Sequence, residues 1–191
     1  MYKFYAYLNR MKDIKRWSLM HSIREENIME HSQAVAVIAH ALGLINNKIL
    51  GGNADVNKIV LLAQYHEVGE VITGDLPTPI KYFNPEIKTA YKDLEKKACE
   101  RILAMLPDEL KSDYEQYVLP DESTYEHKLV KGADRLAAYL KCVEEVKFGN
   151  SEFKKARTTI LKDLKEMGIP EVDYYLKNFA PAYELTLDEL D

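Results

Sequence analysis

The sequence predicts an all-α fold built as one domain over residues 1–191. Three observations carry this. Apolar residues recur at i, i+3 and i+4 through most of the chain. All seven prolines, at positions 77, 79, 85, 107, 120, 170 and 181, fall at or between the periodic segments. A residue that costs about 3 kcal/mol inside a helix marks helix boundaries when placed that way. No Val/Ile/Thr-rich run alternates with the period of two that a strand requires.

Taken in order, helices are expected near 2–14, 30–47, 55–71, 85–106, 108–118, 123–148, 151–167 and 171–180. The first carries Lys3, Arg10 and Lys12 among aromatics, with no apolar run of the signal-peptide kind. In the second, His31 shares a face with Ala34, Val35 and Ile38. In the third, Ile59, Leu62, His66 and Glu70 follow helical spacing, which puts the His and the Glu one turn apart. Glu67 falls on the neighbouring stripe with Val60, Ala63 and Val71. The chain then breaks at Thr73-Gly74 and enters Asp75-Leu76-Pro77-Thr78-Pro79, where two prolines stiffen a loop able to present side chains in fixed positions. Pro85 and Pro107 open the fourth and fifth segments, and the alternating charges of Tyr91–Arg101 read as a solvated helix face. In the sixth, Asp134 sits among Val130, Ala133, Ala137 and Ala138. Gly69 and Gly132, next to these polar groups, leave room for another helix or a ligand. Pro170 and Pro181 bracket the last helix. Neither a repeat nor an interdomain linker interrupts the series.

Bulk properties narrow the function. A net charge of −5 gives no strongly basic face for a nucleic acid polymer, while leaving room for a local pocket around one phosphate. The two cysteines, Cys99 and Cys142, lack metal-type spacing, which suits a reduced, cytoplasmic protein. The longest apolar stretch, near Val35–Ile45, is interrupted by His40 and falls short of the roughly 20 residues of a membrane helix.

The chemistry rests on His31, His66-Glu67 and Asp134, imidazoles and carboxylates standing on three separate apolar segments. Burying such groups unpaired costs several kcal/mol, so they pair or bind metal. Two imidazoles plus carboxylates suit a mid-row divalent cation such as Mn, Co, Fe, Ni or Zn, and the absence of cysteine argues against a thiolate cage. Residue types alone leave other roles open. A lone His on an apolar face is often a satisfied core residue. Asp134 has Lys131 and Arg135 as local partners, Glu70 can be a solvated helix-end carboxylate, and Asp75 can cap the turn before Pro77. Arg16-Trp17 can be a surface Arg beside a core Trp, and Lys81 reads as an ordinary exposed lysine. His21, His40 and His127 have no partner pattern. The string His66-Glu67-Val68-Gly69-Glu70 comes near the zincin HExxH but lacks its second histidine.

The order His31, His66 with an adjacent acid, and Asp134 resembles the HD-domain phosphohydrolases, and more narrowly their bacterial 5′-deoxynucleotidase branch. The matching strings are Lys15-Arg16-Trp17, Glu30-His31-Ser32, Tyr65-His66, Glu70, Thr73-Gly74-Asp75-Leu76-Pro77-Thr78-Pro79, Lys131 to Asp134, Ala138-Tyr139-Leu140-Lys141-Cys142 and Leu185-Thr186-Leu187-Asp188-Glu189. The resemblance covers essentially the whole chain. It implies an HD-type helical bundle that hydrolyses deoxyribonucleoside 5′-monophosphates with a divalent metal (Co, Mn or similar) and works as a homodimer. By position, His31, His66 and Asp134 would be metal ligands, with Glu67 in the place of the motif's Asp. Glu70 would orient or deprotonate the attacking water. Asp75 would stand near the leaving 5′-oxygen. Leu76, Pro77 and Thr78 would line the nucleotide pocket, and Arg16 and Trp17 would pack against the sugar. The family's His-Asp is here His66-Glu67, one methylene longer. That departure keeps in view a weakened or regulatory nucleotide-binding protein; among HD-type enzymes, a pyrophosphohydrolase or triphosphohydrolase is the other alternative.

Overall fold

A computed structural model describes residues 1–81 and 83–191. Ten α-helices follow one another in these residues: α1 (Phe4–Leu8), α2 (Ile28–Lys48), α3 (Val56–Tyr65), α4 (Glu70–Thr73), α5 (Thr78–Lys81), α6 (Pro85–Leu103), α7 (Asp108–Val118), α8 (Tyr125–Lys147), α9 (Phe153–Glu166) and α10 (Pro170–Asn178). Short 3-10 turns cover Asn9–Asp13, Ala180–Glu184 and Leu187–Glu189. Among the described residues there is no strand, only one isolated antiparallel bridge between Lys15 and Asn27.

The long helices start where side chains can take up free amides. Asn27 accepts from the N–H groups of Met29 and Glu30, Asp55 from Lys58, Asn84 from Ile87 and Thr124 from His127. α2, α3 and α8 pack side by side around Val35, Leu42, Ile59, Leu62, Leu129 and Leu136, all buried. α9 and α10 close this core with Phe153, Leu164 and Val172. A second cluster joins Phe4, Met11 and Ile28 to Val68 and Ile102. By length and composition α2 is apolar enough to cross a membrane; here its Ile28, Val35, Ile38, Ala39 and Leu42 are core residues.

Three sequence expectations are corrected. The helix expected over 2–14 is α only to Leu8 and tightens to 3-10 beyond it. The helix expected over 55–71 ends at Tyr65, and His66 to Gly69 form turns before α4 begins. The amides of Val68, Glu70, Val71 and Ile72 bond three residues back, the tighter 3-10 pattern. Arg135 does not pair with its neighbour Asp134; it reaches across to Asp163 on α9. The two glycines serve helix packing. A Cβ on Gly132 would lie 2.8 Å from Val172 of α10, and one on Gly69 would lie 3.0 Å from Cys99 of α6.

Candidate metal centre and its flanking loops

His31 sits in the first turn of α2 and is fully buried. Its Nε2 lies 3.0 Å from Oδ1 of Asp134, one of the few polar groups on the inner side of α8. His66 caps the end of α3, where its Nδ1 lies 2.7 Å from the carbonyl oxygen of Ala63. A carbonyl oxygen only accepts, so Nδ1 carries the proton and the neutral ring turns the Nε2 lone pair inward. That nitrogen is 3.3 Å from Oε1 of Glu67 and 4.0 Å from Oδ1 of Asp134. Glu67 Oε1 is also 3.9 Å from His31 Nε2, and the two imidazole centroids are 5.4 Å apart. One ligand atom from each of His31, His66, Glu67 and Asp134 falls within 4.8 Å of all the others. The structure therefore brings these four sequence candidates to one point.

The charges show what the cluster lacks. Burial disfavours protonated His66, but the carboxylates of Glu67 and Asp134 outweigh it and raise the imidazole. Burial likewise opposes ionised Asp134, and the His31 hydrogen bond and both imidazoles hold its carboxyl well below the usual range. Glu67 is held down in the same way, by His66 and Arg16. Glu70 goes the other way: burial and the adjacent Glu67 charge push it to about 11. His66 Nε2 and Glu70 Oε2 are buried without a hydrogen-bond partner. A divalent cation fits this set. Tetrahedral bonds near 2 Å place ligand atoms about 3.3 Å apart; here all four ligand atoms lie within 4.8 Å of one another, with His31 and Asp134 at 3.0 Å and His66 and Glu67 at 3.3 Å. The longer Glu67 arm still reaches the group.

Around this centre lie the other candidates. Glu70 opens α4 and is buried. Asp75 is half-buried in the loop after α4; burial raises its carboxyl, against the charge of Arg16. Leu76 and Pro77 are half-buried in the same loop, while Thr78, the first residue of α5, is exposed. Lys81 is not the free surface lysine expected from sequence: it pairs with Glu95 of α6 at 2.9 Å and lies over the Tyr91 ring. Arg16 and Trp17 occupy the loop before α2. The guanidinium Nη1 reaches Glu67 Oε1 at 3.5 Å, and the indole lies against Phe153, centroids 5.3 Å apart.

Sequence reasoning missed what holds that loop. Oε2 of Glu26 accepts from Nε of Arg16 at 3.2 Å and from Nε1 of Trp17 at 2.9 Å. Farther along, Glu145 of α8 accepts from the amides of Ile23 and Arg24 and from the Asn150 side chain, and it pairs with Lys141 at 2.6 Å. Lys141 Nζ also donates to the carbonyl of Arg24. The signal for this pair was present in the sequence, as opposite charges four residues apart on a helix where Cys142, Val143 and Leu140 are core.

A family model described as 5′-deoxynucleotidase YfbR-like matches residues 3–183. The chain belongs to this family. It is 51% identical over 192 residues to the 5′-deoxynucleotidase of Vibrio cholerae, covering 98% of this chain and 97% of the relative. It is 49% identical over 193 residues to the 5′-deoxynucleotidase of Yersinia pestis strain Pestoides F, covering 100% and 97%. Among solved structures, an HD-domain phosphohydrolase from Listeria innocua superposes with a TM-score of 0.82 at 22% identity, covering 95% of this chain and 88% of that one. A cyanophage S-2L HD phosphohydrolase, described as bound to dA and one catalytic Zn2+ ion, gives a TM-score of 0.66 at 20% identity, covering 93% and 95%. These two likenesses place the all-α fold among the HD-domain phosphohydrolases. Membership of the YfbR-like family makes the chain a phosphohydrolase.

Proposed function

We propose that residues 1–191 act as one domain that hydrolyses deoxyribonucleoside 5′-monophosphates to deoxynucleoside and phosphate, with His31, His66, Glu67 and Asp134 holding the metal. One observation carries the assignment of the centre: four potential ligand atoms from α2, α8 and the end of α3 converge within 4.8 Å, with an unpartnered buried imidazole nitrogen among them. His31, His66, Glu67 and Asp134 would hold a divalent cation, which would supply Lewis-acid polarisation of a phosphoryl oxygen and a more acidic water. Glu70 then takes a proton from the attacking water, which displaces the nucleoside in line as the phosphorus–O5′ bond breaks. Asp75 delivers a proton to the departing 5′-oxygen. No phosphoenzyme is needed. Leu76 and Pro77 line the nucleotide pocket and exposed Thr78 stands at its rim. Arg16 and Trp17 pack against the sugar, so that a 2′-hydroxyl is poorly accommodated. We assign Co or Mn as activating ions, a cytoplasmic location and a homodimeric state on the family resemblance.

Two measurements test this reading. With Co or Mn added, the protein releases phosphate from dAMP, dGMP or dTMP, and much less from AMP; equal rates on both sugars would remove the role given to Arg16 and Trp17. Elemental analysis and calorimetry are expected to find one divalent ion per chain, and Glu67→Ala to weaken its binding at least about tenfold, the lower end of what losing even a supporting partner costs a metal site. Wild-type protein that binds no ion until Glu67 is replaced by Asp would instead favour a regulatory protein with a lapsed centre.

A further inference from the structure

Glu26 has no part in the reaction above, yet it occupies a revealing position. A single oxygen, Oε2, takes two side-chain N–H donors from adjacent residues, Nε of Arg16 and Nε1 of Trp17. Adjacent side chains ordinarily diverge. They converge here because Trp17 adopts φ 59°, the only non-glycine residue among those described with positive φ. For a bulky L-residue that conformation costs about 1–2 kcal/mol, so something must hold it. Backbone bonds hold the frame of the loop: the Arg16 amide donates to the Glu26 carbonyl at 2.9 Å, and the Ile28 amide to the Ile14 carbonyl at 3.0 Å. They fix where residue 16 stands, not where its guanidinium or the neighbouring indole points. Charge-assisted bonds to one shared carboxylate oxygen do that. They aim Arg16 Nη1 at Glu67 and leave the indole on Phe153.

We propose that Glu26 is the positioning residue for sugar selection, locking the Arg16–Trp17 pair into the one arrangement in which it reads the deoxyribose. The inference deepens the nucleotidase reading and rests on it. Glu26 touches no substrate. It acts by removing the alternatives open to two side chains that do, since an unrestrained guanidinium and indole would admit a 2′-hydroxyl.

Trp17 is the sole tryptophan of the chain, so its fluorescence reports this turn directly. Glu26→Ala is expected to shift the emission to the red and to raise its quenching by acrylamide. It is also expected to lower the dAMP-over-AMP ratio of kcat/KM about tenfold, chiefly through a lower KM for AMP. The melting temperature should stay close to wild type, because the backbone bonds remain. Glu26→Asp keeps the charge but draws the accepting oxygen back by one methylene, and should move both readouts the same way by less; it carries the test should the Ala variant not fold. An unshifted emission in these variants overturns the proposal, as does a shifted emission with an unchanged dAMP/AMP ratio. Wild-type protein that releases no phosphate from any nucleotide would defeat the nucleotidase reading instead. Binding of dAMP and AMP followed through Trp17 would then decide the part of Glu26, equal loss of discrimination supporting it and none overturning it.

Discussion

Glu70→Gln is expected to lower kcat by about 10²–10⁴, the usual worth of a positioned general base, while leaving the affinity for dAMP within a few-fold of wild type. The expectation follows from where Glu70 stands. It is buried, one oxygen has no hydrogen-bond partner, and its neighbour Glu67 is a ligand candidate. In the ion-free protein, burial and the Glu67 charge hold the proton on Glu70 up to about pH 11. A divalent charge at Glu67 would oppose the second cause and bring the carboxyl down from that value, the direction a general base needs. The carboxylates of Glu67 and Asp134 raise the His66 imidazole in the ion-free protein, and a cation at Nε2 competes with any proton there while Nδ1–H stays on the Ala63 carbonyl. Metal binding should therefore release protons into the buffer, fewer in the Gln variant than in wild type. Calorimetry in buffers of different ionisation enthalpy measures that number. A Gln variant with wild-type kcat would strip Glu70 of its role.

The second large effect is on stability. Glu145→Ala should cost about 3–5 kcal/mol, as expected when one partner of a buried ion pair is removed, and lower the melting temperature by roughly 10 °C for a chain of this size. The loss leaves the Lys141 ammonium buried with the Arg24 carbonyl and strands the amides of Ile23 and Arg24. The pair also has a defined acid limit. Burial works against ionised Glu145, but Lys141, the Asn150 side chain and two backbone amides outweigh it and bring the carboxyl down to about 2. Because the folded value is the lower one, the stabilisation is complete above the ordinary carboxyl value of 4.5 and is lost as the pH falls towards 2. Thermal melts from pH 7 downwards should show the Ala variant's deficit shrinking only below about pH 4.5. A deficit under 1 kcal/mol at neutral pH would mean that the loop is held by something else.

The helical fold and the four converging groups were legible because both leave periodic traces. Apolar spacing and proline placement located nearly every helix, and a polar side chain on an apolar stripe is conspicuous, as with His31 and Asp134. The break after Tyr65 left no such trace. Spacing from Ile59 to Glu70 is compatible with a continuous helix; the chain departs from it through the 3-10 bonds after His66, a choice made by packing against α6 at Gly69. Glu26 was invisible for a different reason. It lies ten residues beyond Arg16 in an irregular loop, where no period links the two. The fixed tilt of the Trp17 backbone, which makes their meeting possible, is a tertiary fact.

The proton on His66 is anchored by a main-chain oxygen, that of Ala63. Every amino acid supplies the same oxygen, so drift at position 63 cannot erase the orientation of that imidazole while the helix end persists. The Arg16–Trp17 turn hangs instead on one replaceable carboxylate. On the proposed reading, a change at that carboxylate retunes sugar selection while the orientation of His66, held by the main chain, does not depend on it.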